Sequence, residues 1–277
     1  MEEKISRRDF LKDMGAMAVR AVLGLNPFEL VRQPEKEKQL AQIIRRGPGD
    51  KPWVALTIDD CWSLEGVKRI LEFCESYKAR VTFFPVGRMV EKDPELWTEV
   101  VKAGHELGNH TYGHEQLDVN KLGEEGIIRT IKKANQVIFQ AAGVAPRFFR
   151  PPYMYGFTKL DNYCNWLRGM IFDCSLPFVA LWSGDSYTQA IKPGQEAGET
   201  EEKIVERIVS VGSSAKNGDI FLMHINKWDL GAIGRIIAGL TENGMRLVTL
   251  SELCSVDSSS RPGKRPLQPR KRIVFLI

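Results

Sequence analysis

The sequence predicts an α/β protein, a distorted β/α barrel of seven or eight strands, and three observations predict it. Short β-rich runs alternate with helical patterns over about 200 residues, as in a parallel sheet with helical crossovers. Asp59, Asp60, His110, Arg150, Asp185 and His224 each stand at or just after the end of a strand candidate. The 277 residues are 43% hydrophobic and 27% charged, which excludes a disordered, fibrous or disulfide-stapled chain and supplies a sizeable core. A doubly wound sheet fits the alternation equally well. A barrel, however, gathers every strand end on one rim, where dispersed reactive residues converge.

The elements follow in order. Residues 53–58 form a compact apolar strand, and apolar positions 64, 67, 70, 71 and 74 give 63–77 helical spacing. A strand over 80–84 precedes a helix capped by Asp93-Pro94 and running to Lys102, its proline in the first turn where no N–H is missed. A short strand at 105–109 leads to a helix over 124–142. Segments 147–150 and 170–174 read as strands separated by a helix at 160–168. A strand at 178–182, a helix at 200–213, a strand at 219–223, a helix at 230–240 and a strand at 245–250 complete the series.

The formal charge of +4 is unevenly placed. Residues 1–33 carry +1 and residues 255–277 carry +5, so the 34–254 body is slightly acidic at −2. A nucleic-acid footprint would have to rest on the tail alone, and none is expected. Residues 255–277 read as a basic disordered tail that touches anionic envelope polymers or lipid headgroups. No apolar run is long enough to span a bilayer. Near the start, Ser6-Arg7-Arg8-Asp9-Phe10-Leu11-Lys12 looks like a twin-arginine export signal, followed by a modest apolar stretch. The expected organisation is a leader at 1–33, a linker at 34–51, a catalytic domain at 52–254 and the tail, with the protein exported or held at the cell envelope.

The five cysteines form no C-x-x-C pair, so neither a thiolate zinc site nor a redox motif is drawn. The chemistry points elsewhere. The chain has four histidines, and His110 and His114 stand four apart just past a short strand. On a helical turn that spacing turns both imidazoles to one side. With a carboxylate from elsewhere, Asp60 being the natural candidate, they would make a two-His, one-carboxylate face with open positions. Asp59 is then free to act as a base, since paired carboxylates need not share a role. His105 lies within the strand and reads as structural.

Four motifs now make the resemblance specific. Thr57-Ile58-Asp59-Asp60, the segment from Gly104 to His114, Arg150-Pro151-Pro152-Tyr153 and Leu222-Met223-His224 resemble, in order, the motifs of the polysaccharide deacetylases, carbohydrate esterase family 4, the NodB-homology group. The match spans 52–254. The resemblance implies a NodB-type barrel and a divalent metal on Asp60, His110 and His114, most often zinc, with cobalt, nickel or manganese as alternatives. It implies Asp59 as the base taking a proton from water on the metal, and His224 as the acid protonating the leaving amine. Arg150 would hold the base, Tyr153 would help bind the oxyanion through its backbone N–H, and Leu222 would line the acetyl pocket.

Three departures bear on substrate choice. The fourth motif retains Asp185, which the resemblance places in the catalytic group, but lacks its downstream tryptophan, for which Trp182 or Tyr187 would substitute as a wall. Cys61-Trp62 replaces the usual glycine after the aspartate pair, and Tyr153 is followed by Met154-Tyr155 before Gly156. The expected activity is removal of N-acetyl, or O-acetyl, groups from peptidoglycan or a chitin-like glycan. Hydrolysis of small cyclic amides or imides on the same scaffold, and a glycan-binding module without catalysis, are the alternatives.

Overall fold

The computed structural model describes residues 39–255. The leader at 1–33 and all but the first residue of the basic tail lie outside the described residues.

The second strand shows how the fold is built. β2 (Trp53–Asp60) is buried along nearly its whole length, and its side chains alternate between two surroundings. Val54, Leu56 and Ile58 pack outward with the helices, while Ala55 belongs to a separate inner cluster. Thr57 and Asp59 share the inner parity of Ala55. β3 (Thr82–Pro85) and β8 (Ile220–His224) flank β2 in parallel, placing His224 beside Asp59 and Pro85 beside Asp60. β4 (Glu106–Leu107), β7 (Gly184–Asp185) and β9 (Arg246–Leu247) complete a six-stranded parallel sheet. A second parallel sheet holds β6 (Phe178–Ala180) between β1 (Gln42–Ile44) and β5 (Phe148–Phe149).

The two sheets curl around one interior. Ala55, Phe84, Phe148, Ala180, Ile220 and Val248 come from both and form the inner cluster. One seam is a single parallel bridge between Asn109 and Phe149. At the other, the Gly47 N–H, just past β1, donates to the Gly218 carbonyl, just before β8, and the Ser183 N–H, past β6, donates to that of Ile220. No ladder closes the ring among the described residues. The architecture is the distorted parallel barrel expected.

Helices sheathe the outside. α1 (Leu64–Tyr77), α3 (Pro94–Lys102), α7 (Glu201–Ser213) and α8 (Lys227–Glu242) pack on the larger sheet. α4 (Val119–Ala142) and α5 (Asn162–Asp173) cover the smaller one. α2 (Gly87–Lys92), α6 (Lys192–Glu196) and α9 (Leu250–Leu253) are short connectors. Side-chain caps start the long helices where the sequence supplies acceptors, with Ser63 before α1, Asp93 before α3 and Thr200 before α7.

Two readings change. The strand expected at 170–174 is the last part of α5, whose buried Cys164, Leu167, Met170 and Ile171 recur at helical spacing after the Asp161 cap. That packing overrides the β-rich composition of Met170-Ile171-Phe172. Residues 34–51, expected as linker, contain β1, where only three residues pair and one of them is buried, too short a run for periodicity to register. With β7 also added, nine strands among the described residues replace the seven or eight expected.

Candidate metal centre and active site

The rim formed by the ends of β2, β4, β5 and β8 collects the reactive residues. Asp60 ends β2 with φ 66, and Cys61 follows with φ 59. Two successive residues in the left-handed region turn the chain sharply and present the Asp60 carboxylate to the loop after β4. Such conformations cost of order 1–3 kcal/mol each for a non-glycine residue and cluster at functional sites. Thr111 and His114 in the facing loop share this feature, with φ 62 and 67.

Here the expected helical turn is corrected. Residues 110–114 form an irregular loop, and it is the bend at Thr111 and His114, not a 3.6-residue repeat, that brings the two rings within 5.0 Å. Buried Asn109 braces the loop, donating to the Ile131 carbonyl and the Asn135 side chain of α4 and accepting from the Thr111 N–H. Gly108 is required by close approach, because a Cβ there would stand 2.2 Å from the Phe84 ring.

The donor atoms of Asp60, His110 and His114 lie within 4.8 Å of one another. Asp60 Oδ1 is 3.0 Å from His114 Nε2 and 3.2 Å from His110 Nε2. Neither approach has hydrogen-bond geometry, so Oδ1 is a buried carboxylate oxygen without a donor. A buried charge in that state calls for a cation. His110 Nδ1 stands 2.7 Å from the Arg150 carbonyl, which can only accept. A proton therefore sits on Nδ1, and Nε2, which faces Asp60, is the ring nitrogen available to a metal. His114 Nδ1 meets the Tyr153 hydroxyl at 3.0 Å. Burial works to raise the Asp60 carboxyl pKa, but the two imidazoles and His224 outweigh it and hold the group well below the usual carboxylate range. Two nitrogens and one carboxylate oxygen converging on one point fit a divalent metal ion.

Beside this cluster stands a buried ion pair. Arg150 is fully buried, and its Nη1 donates to Asp59 Oδ1 at 2.7 Å and to Thr57 Oγ1 at 2.8 Å. Its Nε donates to the Ala180 carbonyl and its Nη2 to that of Leu181, so one guanidinium ties the larger sheet to the smaller. Phe84 lies under the guanidinium at 4.2 Å. Asp59 Oδ2 is 3.9 Å from His110 Nε2, which places its free oxygen toward the cluster.

The other expected residues separate into two groups. His224 is level with Asp59 on the neighbouring strand, and Leu222 sits buried below it opposite Thr57. Tyr153 is 67% exposed beside His114, and its φ of 58 marks a further left-handed residue. Asp185 is differently engaged. Its oxygens accept from the Thr188 N–H and hydroxyl and from Trp182 Nε1, pinning the turn over Tyr187–Ile191. Trp182 stands 5.7 Å from the Arg150 guanidinium. The Cys61 thiol is buried, and burial together with Asp60 and Asp59 pushes its pKa far up, which leaves it protonated and unreactive. His105 accepts from the Val81 N–H, and burial with nearby Arg80 pushes its pKa down to about 4, so it is a neutral structural histidine.

One residue escaped the sequence reading. Asp229, in the first turn of α8, is buried and accepts from the His224 N–H and the Asn226 side chain. It fixes the strand end that carries His224. The Asn226-x-x-Asp229 spacing, an N-cap residue followed by an acid three on, was the available signal.

A parallel barrel with an Asp–His–His cluster on its carboxyl rim is, as a class, a metal-site scaffold. Residues 46–163 match the family model described as polysaccharide deacetylase. The chain is 31% identical over 212 residues to a peptidoglycan-N-acetylglucosamine deacetylase of Bacillus cereus, covering 75% of this chain and 70% of that protein. Among solved structures it is similar to the Bc1960 peptidoglycan N-acetylglucosamine deacetylase, at 28% identity and a TM-score of 0.63, over 80% of this chain and 96% of that one. It is also similar to a CE4 family pseudoenzyme from Bacillus anthracis, at 25% identity and a TM-score of 0.62, over 76% of this chain and 68% of that one. The chain belongs to the polysaccharide deacetylase family, carbohydrate esterase family 4.

Proposed function

We propose that the chain is a zinc-dependent hydrolase that removes N-acetyl groups from a peptidoglycan- or chitin-like glycan. The observation that carries this reading is one rim holding an Asp–His–His cluster, a guanidinium-held carboxylate and a histidine level with that carboxylate. Asp60, His110 and His114 would hold a divalent ion, which would supply Lewis acidity at the amide carbonyl and acidify water at the site. Asp59, held by Arg150 through Oδ1, accepts the proton of the attacking water on its other oxygen. His224, on the adjacent strand, protonates the amide nitrogen so that it can leave as an amine. Leu222 lines the floor for the acetyl methyl group, and the Tyr153 N–H stabilises the developing oxyanion. An export leader at 1–33 fits a glycan substrate in the envelope, and the basic tail fits its anionic polymers.

The test is acetate release from N-acetylglucosamine oligomers and from peptidoglycan. Activity should disappear on chelation and return with zinc. A zinc-loaded protein that releases no acetate from any glycan sinks the reading and aligns the chain with its pseudoenzyme relatives.

A further inference from the structure

Two features of the rim have no part in the chemistry above. Trp62, the second residue after the aspartate pair, is 39% exposed and meets the His114 ring edge-on at 5.9 Å. The Arg88 guanidinium lies over the same indole, 4.3 Å from the ring centre. An arginine stacked on an exposed tryptophan, one ring's width from a metal-ligand candidate, is held in place and remains charged.

Arg88 is placed by the metal loop itself. The Gly87 and Arg88 N–H groups donate to the carbonyls of Thr111 and Tyr112, within the segment carrying both histidines. Glu91, a turn further along α2, is occupied by the Tyr112 hydroxyl. Arg88 is exposed and forms no ion pair among the described residues. A fixed guanidinium with a free fork beside an aromatic face is suited to a ligand offering both an apolar ring face and a planar anion.

We infer that Trp62 and Arg88 form a subsite for an acetamido sugar bearing a carboxylate substituent, Trp62 taking the sugar's apolar face and Arg88 the carboxylate. This rests on the deacetylase reading and names its substrate class. N-Acetylmuramic acid has the required chemistry, because its lactyl carboxylate hangs from the ring carbon next to the acetamido carbon. A carboxylate so close to the scissile amide falls within a side chain's reach of the metal cluster. Neutral N-acetylglucosamine oligomers offer the ring face alone.

The experiment uses the full zinc-loaded chain and two matched ligands. One is a muramic-acid-containing peptidoglycan oligosaccharide, and the other is the same oligosaccharide with its carboxylates reduced to alcohols. Both acetate release and calorimetric binding are measured, for wild type, Arg88→Gln and Arg88→Lys. Wild type should favour the carboxylate form about tenfold in kcat/KM and in affinity, the scale of one charge-assisted contact. In Arg88→Gln that ratio should fall to about one, and Arg88→Lys should restore part of it. Equal wild-type values for the two ligands, or a ratio that Arg88→Gln does not change, overturns the inference. If wild type releases no acetate from either ligand, the deacetylase reading fails, and the binding ratio still decides this one.

Discussion

The molecule packs two carboxylates against the same sheet, Asp59 buried and Glu106 half-buried, and treats them oppositely. Asp59, at the C-terminal end of β2, faces a full positive charge, with Arg150 Nη1 at 2.7 Å. Glu106, at the start of β4, is met by neutral donors, namely the Ser251 N–H and hydroxyl and the Thr82 hydroxyl. Burial raises the Glu106 pKa, and these hydrogen bonds with the charge of Arg147 offset only part of that rise. One end of the sheet therefore sets a carboxylate against a guanidinium with one oxygen left open, and the other glues an α-helix to the strands. A buried carboxylate alone is not a functional signal; its counter-charge and its open side are.

Experiments that attack this contrast can be ranked. Asp60→Asn should have the largest effect, abolishing both metal retention and turnover, as read by metal analysis of dialysed protein beside an acetate assay. Asp59→Asn and His224→Ala should keep the metal and lower kcat by about 10²–10⁴-fold, the usual weight of a general acid or base. Metal loss in His224→Ala would move that residue into the coordination shell and break the acid assignment. Arg150→Met strands the Asp59 charge inside the barrel and should cost about 3–5 kcal/mol in urea unfolding, measured on metal-free protein. An unchanged midpoint would show that the Asp59–Arg150 pair is not what holds the interior together.

The two smaller predictions sharpen the comparison. Tyr153→Phe removes the hydroxyl at His114 Nδ1 and should weaken metal binding about 10–100-fold in a competition titration with a chelating dye. Glu106→Gln tests the opposite end. Because the folded-state pKa of Glu106 is raised, its contribution is most favourable at low pH, where the proton is held, and is lost as pH rises through that pKa. The variant should therefore gain on wild type as pH increases above the ordinary glutamate range, by about 2–4 °C in Tm for each ~1 kcal/mol. Parallel melting curves from acid to neutral pH would reveal an opposite trend.

What could be read in advance followed the physics of each signal. β2 and β8 are continuous apolar runs ending in Asp and His, so strand, burial and rim position were all visible in Trp53–Asp60 and Ile220–His224. The metal cluster was legible because its ligands stand in recognisable motifs. The backbone that unites His110 with His114 was not, since left-handed φ at Thr111 and His114 is imposed by braces from Asn109 and α4. Asp185 showed the reverse. Its place in the fourth motif pointed to the catalytic group, while its oxygens serve Thr188 and Trp182, partners that sequence spacing does not weigh. Asp229 was hidden by doing a capping residue's work beside a reactive one.

Arg150 gives the site a property that no single contact describes. Its donors reach Thr57 and Asp59 on one sheet and the carbonyls of Ala180 and Leu181 at the end of β6 in the other. Those groups meet only when both sheets have docked, so Asp59, the proposed base, has its counter-ion only in the assembled barrel. The reaction centre thereby audits the fold: a chain with one sheet misplaced holds its reactive residues but not the interlock that arms them, and it stays inert until it is built correctly.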